Sequence, residues 1–379
     1  MVASAESVLF SYRDQVAGFA GYLAMDGRDN PIAAGGFRVQ RGLRPEVVVQ
    51  LAQTMTMKQR LLGLAVDGAK CGIDYDPGHP DKHLAMRRFL RFLRPHLLDR
   101  FSMGPDMGTS WTEIEALARA ENIPSVKIAI ARAQGLSEAE VLRRLRLLEV
   151  HVGGRTLGQR RAGHGLAHAA LAAIGATDGV GLRISIQGFG TLGTAAAQSL
   201  HDAGARIVAL TDEHGALIDD QGLDMPRLLA STAQDNAPPL PGTGGTGIFD
   251  TPVDVLVLAA CENAMDVEQA AALPHCVQTV VVGANLGLPT EVENLLERRG
   301  ITVVPDFVGG CGGPASMDAL FGPATCPTPE KFLDRLGDTM RSVVRRMLDR
   351  AAMSGSTSRQ AALALCTEPA ARQRSTPYG

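Results

Sequence analysis

The stretch Ile184-Ser185-Ile186-Gln187-Gly188-Phe189-Gly190-Thr191-Leu192-Gly193 decides the fold. Its first four residues read as a strand, and Leu192 to Ala203 reads as a helix. Between them stands the pattern G-x-G-x-x-G. The first two glycines let the backbone turn tightly and approach a pyrophosphate, and the third lets helix and strand pack closely. The helix N-terminus adds amide donors and a positive dipole end. Gly188, Gly190, Thr191, Leu192 and Gly193 are therefore expected to hold a dinucleotide. Asp212 ends the next strand pattern (Arg206 to Thr211), 19 residues after Gly193. An acid there can bond a ribose 2′-hydroxyl. Glu213 follows, with no Lys or Arg beside it for a 2′-phosphate, so NAD is expected rather than NADP.

Downstream, Val253 to Leu258, Thr279 to Val282 and Thr302 to Val304 read as further strands, separated by helical segments such as Glu291 to Arg299. This is the alternation of a doubly wound, Rossmann-like sheet. Upstream, Ala17 to Met25 and Gly35 to Val39 read as strands, and Pro45 opens a helix through Leu62. Val66 to Ile73 is a short glycine-containing strand or loop. Pro80 opens a second helix, to about Leu98, with a basic face expected to be solvated. Ser137 starts a capped helix that ends near Gly153-Gly154, a candidate hinge. The expected class is α/β with two domains: an α/β substrate-binding and catalytic domain over 1–150 and a Rossmann-like domain over 151–329. The helix Glu330 to Met353 is expected to return to the first domain. Residues 355–379 are expected to form a tail, loose from about Thr367 to Gly379, and Ala233 to Asp250, rich in Pro, Gly and Thr, a surface loop.

Composition bounds the function. The 379 residues are 45% hydrophobic with a net charge of −3, which offers no basic surface for nucleic acid. No apolar run reaches the ~18 residues a membrane span needs. Met1 to Phe10 lacks the order of a signal peptide, so a cytoplasmic protein is expected. The six cysteines form no C-x-x-C pair and read as reduced thiols. His164 and His168 stand four apart without the glutamate of a zinc helix, and no metal is expected.

Lys58 lies in Met55-Thr56-Met57-Lys58, Lys70 in Asp67-Gly68-Ala69-Lys70-Cys71-Gly72, and Asp106 in Asp106-Met107-Gly108-Thr109. Two ammonium groups and a carboxylate would suit an anionic substrate with a proton to move. Spacing alone does not separate such lysines from surface charges. Together with Gly35-Gly36-Phe37-Arg38, Gln187-Gly188-Phe189-Gly190, Leu258-Ala259-Ala260-Cys261-Glu262-Asn263, Gly283-Ala284-Asn285 and Pro305-Asp306, these stretches resemble the glutamate/leucine/phenylalanine/valine dehydrogenase family. The likeness runs from about residue 17 to 325.

The resemblance implies reversible oxidative deamination of an L-amino acid to a 2-oxo acid and ammonia, with the hydride passing to nicotinamide. It implies that Lys58, helped by Gly35 and Gly36, holds the substrate α-carboxylate. Lys70 would be the catalytic lysine that activates water, and Asp106 would shuttle a proton to and from the amino group. Asn263 and Asn285 would line the cofactor. A homo-oligomer is expected on the same ground. Family members acting on glutamate carry a lysine just before the Gly-Gly pair and a serine at the position of Met317. Here Ala34 and Met317 point to an apolar or small neutral amino acid. Glutamate, or a non-standard amino acid in the reductive direction, is the alternative substrate. Two departures from the family pattern, Gly310-Cys311-Gly312-Gly313-Pro314 and Arg161-Ala162-Gly163, leave a rival class: an NAD-binding regulatory subunit with little catalysis. The segment Ile123 to Val150 is also unusual in length and basic content.

Overall fold

The structure, a computed structural model, describes residues 7–231, 245–368 and 376–379. The chain divides into two compact units: Met1–Arg146 with Thr367–Gly379, and Leu147–Cys366.

Unit 1 contains β1 (Val8–Asp14), β2 (Phe19–Asp26), β3 (Ala33–Gln40), α1 (Pro45–Leu61), β4 (Asp67–Asp74), α2 (Lys82–Asp99), β5 (Phe101–Pro105), α3 (Trp111–Ala120), α4 (Ala129–Gln134) and α5 (Glu138–Leu145). The sheet order is β1-β2-β4-β3-β5, with β3 parallel to both neighbours and the other pairs antiparallel. Strand side chains alternate between faces, and the alternation here is strict. Ala33, Phe37, Val39, Ala69, Cys71, Ile73, Phe101 and Met103, all odd-numbered, join the core built with Phe89, Leu93 and Leu97 of α2. The even-numbered residues face α1: Ala24 packs with Val48 and Ala52, and Gly68 lies so close to α1 that a Cβ there would be 2.2 Å from the Ala52 carbonyl. Ala34, Gly36, Arg38, Lys70, Ser102 and Gly104 all belong to this second face. The basic face of α2 is held by partners: Arg87 and Arg91 donate to Glu121 at 2.9 and 2.8 Å, and Arg88 to Asp14 at 2.5 Å.

Unit 2 opens with a small hairpin, β6 (His151–Val152) and β7 (Arg155–Thr156), so Gly153-Gly154 is its turn. Then come α6 (Leu157–Ala173), β8 (Arg183–Gln187), α7 (Thr191–Asp202), β9 (Arg206–Thr211), β10 (Ala216–Ile218), α8 (Met225–Ser231), β11 (Val255–Leu258), α9 (Val267–Ala272), β12 (Thr279–Val282), α10 (Thr290–Arg298), β13 (Thr302–Val304), α11 (Asp306–Gly309), α12 (Gly312–Phe321), α13 (Pro329–Ser354) and α14 (Ser358–Thr367). The sheet runs β10-β9-β8-β11-β12-β13 and is parallel except for β10. The N-terminus of α6 carries a capping box, Thr156 with Gln159. Much of the expected surface loop, 233–244, lies outside the described residues.

Two expectations are corrected. The long helix α13 does not return to the first domain. It belongs to unit 2, where a Cβ at Gly337 would meet the His168 ring of α6 at 2.6 Å. Its apolar stripe (Phe332, Leu336, Met340, Val344, Met347) marks a helix with one buried face but does not say which body it covers. Nor is 355–379 a tail loose to its end. Ser358–Thr367 is helical, and Tyr378 returns to unit 1 with 1% of its surface exposed. The Gln134 side chain clamps the Tyr378 backbone, accepting from its N–H at 3.1 Å and donating to its carbonyl at 2.7 Å.

Candidate active site

Lys70 sits mid-strand on β4 and Asp106 just past β5, and the parallel pairing of β3 with both brings them together. Lys70 Nζ lies 2.8 Å from Asp106 Oδ2. Arg38, from β3 between them, donates its Nε to the same oxygen at 2.7 Å and its Nη1 to Gln40 at 3.2 Å. Burial alone would raise the Asp106 carboxyl. Lys70 and Arg38 outweigh burial and hold it well below the usual carboxylate range. Such a cluster is tolerable out of water because the charges meet at hydrogen-bond distance. The loop is fixed by Thr109, whose Oγ1 accepts from the Asp106 amide at 3.0 Å and donates to the Phe37 carbonyl at 2.8 Å.

The glycine pair has a steric cause. A Cβ at Gly35 would lie 1.6 Å from the Ala69 carbonyl oxygen, and one at Gly36 would lie 3.2 Å from Lys70 Nζ and 3.0 Å from Asp106 Cβ. Any side chain at 36 would occupy the space directly beside the ion pair. Lys58 is buried in the last turn of α1, the helix covering this face. Two residues earlier, Thr56 Oγ1 accepts the Gly68 amide at 3.1 Å, which ties the helix to β4 near Lys70. Ala34 faces the same way and stands opposite Ser102 of β5.

In unit 2 the glycine turn follows β8 and opens α7. Gly188 has φ +93°, and a Cβ there would meet Ala260 Cα at 2.7 Å. A Cβ at Gly193 would lie 1.7 Å from the Gly188 carbonyl oxygen, whereas one at Gly190 would meet nothing within 4 Å. The α7 N-terminus has no side-chain cap. Open space above Gly190, an uncapped helix end and closely packed glycines either side suit a pyrophosphate. Asp212 Oδ1 accepts from the amides of His214 and Gly215 at 2.8 and 2.9 Å, so this acid shapes its own turn. Asn263 and Asn285 lie on adjoining loops, joined where the Asn263 amide donates to the Leu286 carbonyl at 3.0 Å. Leu286 in turn donates to Asp306, which pairs with Arg359 at 2.8 Å. Met317 is buried in α12. Arg161 of α6 stitches to that helix, donating to Ser316 Oγ at 2.8 Å; burial lowers its guanidinium to about 10. The His164 and His168 rings lie 4.4 Å apart, tilted by 51°. The His164 Nε2 is positioned to donate to the Leu333 carbonyl at 3.1 Å, and His168 Nδ1 accepts from Arg341 at 2.9 Å.

Arg38 and Lys127, two of the buried cations of unit 1, went without a role in the sequence reading. Arg38 lies inside a quoted motif, Gly35-Gly36-Phe37-Arg38. Lys127 lies in the basic segment flagged from Ile123, and is 4% exposed.

The two units together define a class: an α/β chain with one Rossmann-type unit and one mixed-sheet unit holding a lysine–aspartate pair whose lysine is buried. Residues 153–375 match the family Glutamate/Leucine/Phenylalanine/Valine dehydrogenase, and residues 8–122 match the Glu/Leu/Phe/Val dehydrogenase dimerisation domain; the chain belongs to this family. It is 29% identical over 296 residues to glutamate dehydrogenase B of Halobacterium salinarum, covering 74% of this chain and 64% of that one. It is 27% identical over 296 residues to an NADP-specific glutamate dehydrogenase of Saccharolobus shibatae, covering 74% and 65%. The chain thus spans just under two thirds of the length of these curated relatives. Among solved structures, hetero-hexameric glutamate dehydrogenase from Thermus thermophilus in a Leu-bound form superposes with a TM-score of 0.75 at 29% identity, covering 96% of this chain and 87% of that one.

Among the described residues, no helix is long and apolar enough to cross a membrane.

Proposed function

We propose that this chain is a nicotinamide-dependent L-amino acid dehydrogenase, catalysing reversible oxidative deamination to the 2-oxo acid and ammonia. The Lys70–Asp106–Arg38 cluster carries the reading: a half-buried carboxylate, kept ionised, 2.8 Å from the buried Lys70 amino group. Lys58 holds the substrate α-carboxylate. Asp106 takes a proton from the amino group and returns it in the reverse direction. Lys70 orients the attacking water and, in its neutral amine form, accepts a proton from it. Bound nicotinamide supplies the hydride acceptor. Gly188, Gly190 and Gly193 would give its pyrophosphate room, and Asn263 and Asn285 would line the cofactor site.

The acids Asp212 and Glu213 favour NAD. The Saccharolobus relative is named for NADP, so both cofactors belong in the assay. On Ala34 and Met317 alone, the substrate side chain is apolar or small and neutral. One observation favours the second reading, an acidic side chain: buried Lys127 stands beside Ser102, the partner of Ala34. We further propose an oligomer; the Thermus relative is a hetero-hexamer, so co-purifying subunits should be looked for.

The test is a panel of L-amino acids with NAD or NADP, followed by absorbance of the reduced cofactor. Turnover is expected, with Lys70→Ala lowering kcat about 10³-fold or more. Absence of reduced cofactor with every amino acid, despite measurable dinucleotide binding, would overturn the dehydrogenase reading and favour the regulatory-subunit rival.

A further inference from the structure

We propose that Lys127 selects the substrate side chain, receiving a carboxylate at its far end; this rests on the dehydrogenase reading and names its substrate class as acidic L-amino acids. Lys127 Nζ lies 3.4 Å from Ser102 Oγ and 3.9 Å from where a Cβ on Gly104 would stand. Both residues belong to the face that carries Lys70. Register then relates the two ammonium groups. Ser102 pairs with Ala34 and Gly104 with Gly36, and a Cβ at Gly36 would be 3.2 Å from Lys70 Nζ. The two glycines stand one strand spacing apart, about 4.8 Å. Lys70 and Lys127 therefore flank a floor that includes Ala34, Gly36 and Gly104, residues with a methyl group or no side chain. An amino acid whose α-carbon lies at the Lys70–Asp106 pair would extend a short side chain across this floor toward Lys127.

The ammonium is held there by more than Ser102. The Met103 amide donates to the Val126 carbonyl at 2.9 Å, fixing the backbone of the Lys127 segment against β5. The Trp111 ring centroid lies 5.9 Å from Nζ, within cation–π range. Glu115 stands behind, its Oε1 tied to Ser125 Oγ at 2.8 Å and the Val126 amide at 3.1 Å, and it interacts electrostatically with Lys127. A cation in this setting is a stringent filter. A buried ammonium favours a side chain that brings a carboxylate against it over one that brings only apolar atoms. The positive charge absent from position 34 of β3 is supplied from the segment preceding α4.

Trp111 is the only tryptophan of the chain and lies against the proposed site, so it reports binding without turnover. Full-length protein with NAD is titrated with glutarate and with its monocarboxylate counterpart, pentanoate, while Trp111 fluorescence is followed. Glutarate is expected to bind at least about 10-fold more tightly, and Lys127→Met is expected to abolish that preference. In turnover, the ratio of kcat/KM for L-glutamate over L-norvaline is expected to fall about 100-fold in Lys127→Met, mainly through KM, with partial recovery in Lys127→Arg. Equal binding of the two probes by the wild type, or an unchanged ratio in the variant, would overturn the assignment. If Lys127→Met fails to fold, Lys127→Gln, which keeps a donor for Ser102, is read in the same way. A glutarate response that depends on Lys127 without turnover of any amino acid would retain the subsite and remove the dehydrogenase reading.

Discussion

The candidate site of unit 1 is made of side chains, and that of unit 2 is made by leaving them out. In the first, Lys70, Asp106 and Arg38 are charged groups taken out of water and made tolerable by one another. In the second, Gly188, Gly190 and Gly193 leave backbone and open space. A charged cluster fails when a charge is lost. A glycine turn fails when an atom is gained. The two regions should therefore respond to substitution through different observables, chemistry in one and cofactor affinity in the other.

The largest effect should come from adding a single carbon to the turn. In Gly193→Ala the new Cβ would sit 1.7 Å from a backbone oxygen that has nowhere to go. A cost of about 3 kcal/mol or more is expected, seen as dinucleotide affinity weakened at least about 100-fold by calorimetry. The same carbon in unit 1 should do less and do it elsewhere. In Gly36→Ala the Cβ would press on the Lys70 ammonium at 3.2 Å, the movable end of a long side chain. Here kcat should fall about 10-fold through misplacement of the ion pair, with dinucleotide affinity unchanged. If Gly36→Ala weakened the cofactor as much as Gly193→Ala, the contrast between the units would be lost.

Acid should separate the units by a smaller margin. Burial lowers His164 to about 3 and His168 to about 4, against about 6.5 in an unfolded chain. Such depressed values give stability that is present above about pH 6.5 and is lost as pH falls toward the folded values. Asp106, depressed by Lys70 and Arg38, stays ionised through that range. Between about pH 7 and pH 5, unit 2 should lose about 2 kcal/mol for each of the two histidines while the unit 1 cluster persists. Thermal melts of wild type and His168→Gln test this; an equal decline in both would remove the histidine pair as the cause.

The legible parts of the fold were those whose signal is local. The glycine turn announced itself because strand, turn and helix are contiguous, and the strands at Val255–Leu258 and Thr279–Val282 are unbroken apolar runs. What stayed hidden was set by pairing at a distance. Arg38 and Asp106 are 68 residues apart and meet only because β5 adds beside β3. The short strand Phe101–Pro105 read as no more than an apolar stretch. Lys127 was visible as part of a basic segment, but its turn toward Ser102 follows from the Val126–Met103 backbone bond. Tyr378 was illegible for the same reason, since the residue that clamps it, Gln134, lies 244 positions away.

That clamp gives the chain a birth order. Unit 1 begins synthesis first, yet Tyr378, which is buried in it, is made after every residue of unit 2. A ribosome-bound chain can assemble the sheet and α1 early, but this latch closes only after the whole of unit 2 has been made, so the first unit to start maturing has to wait for the second.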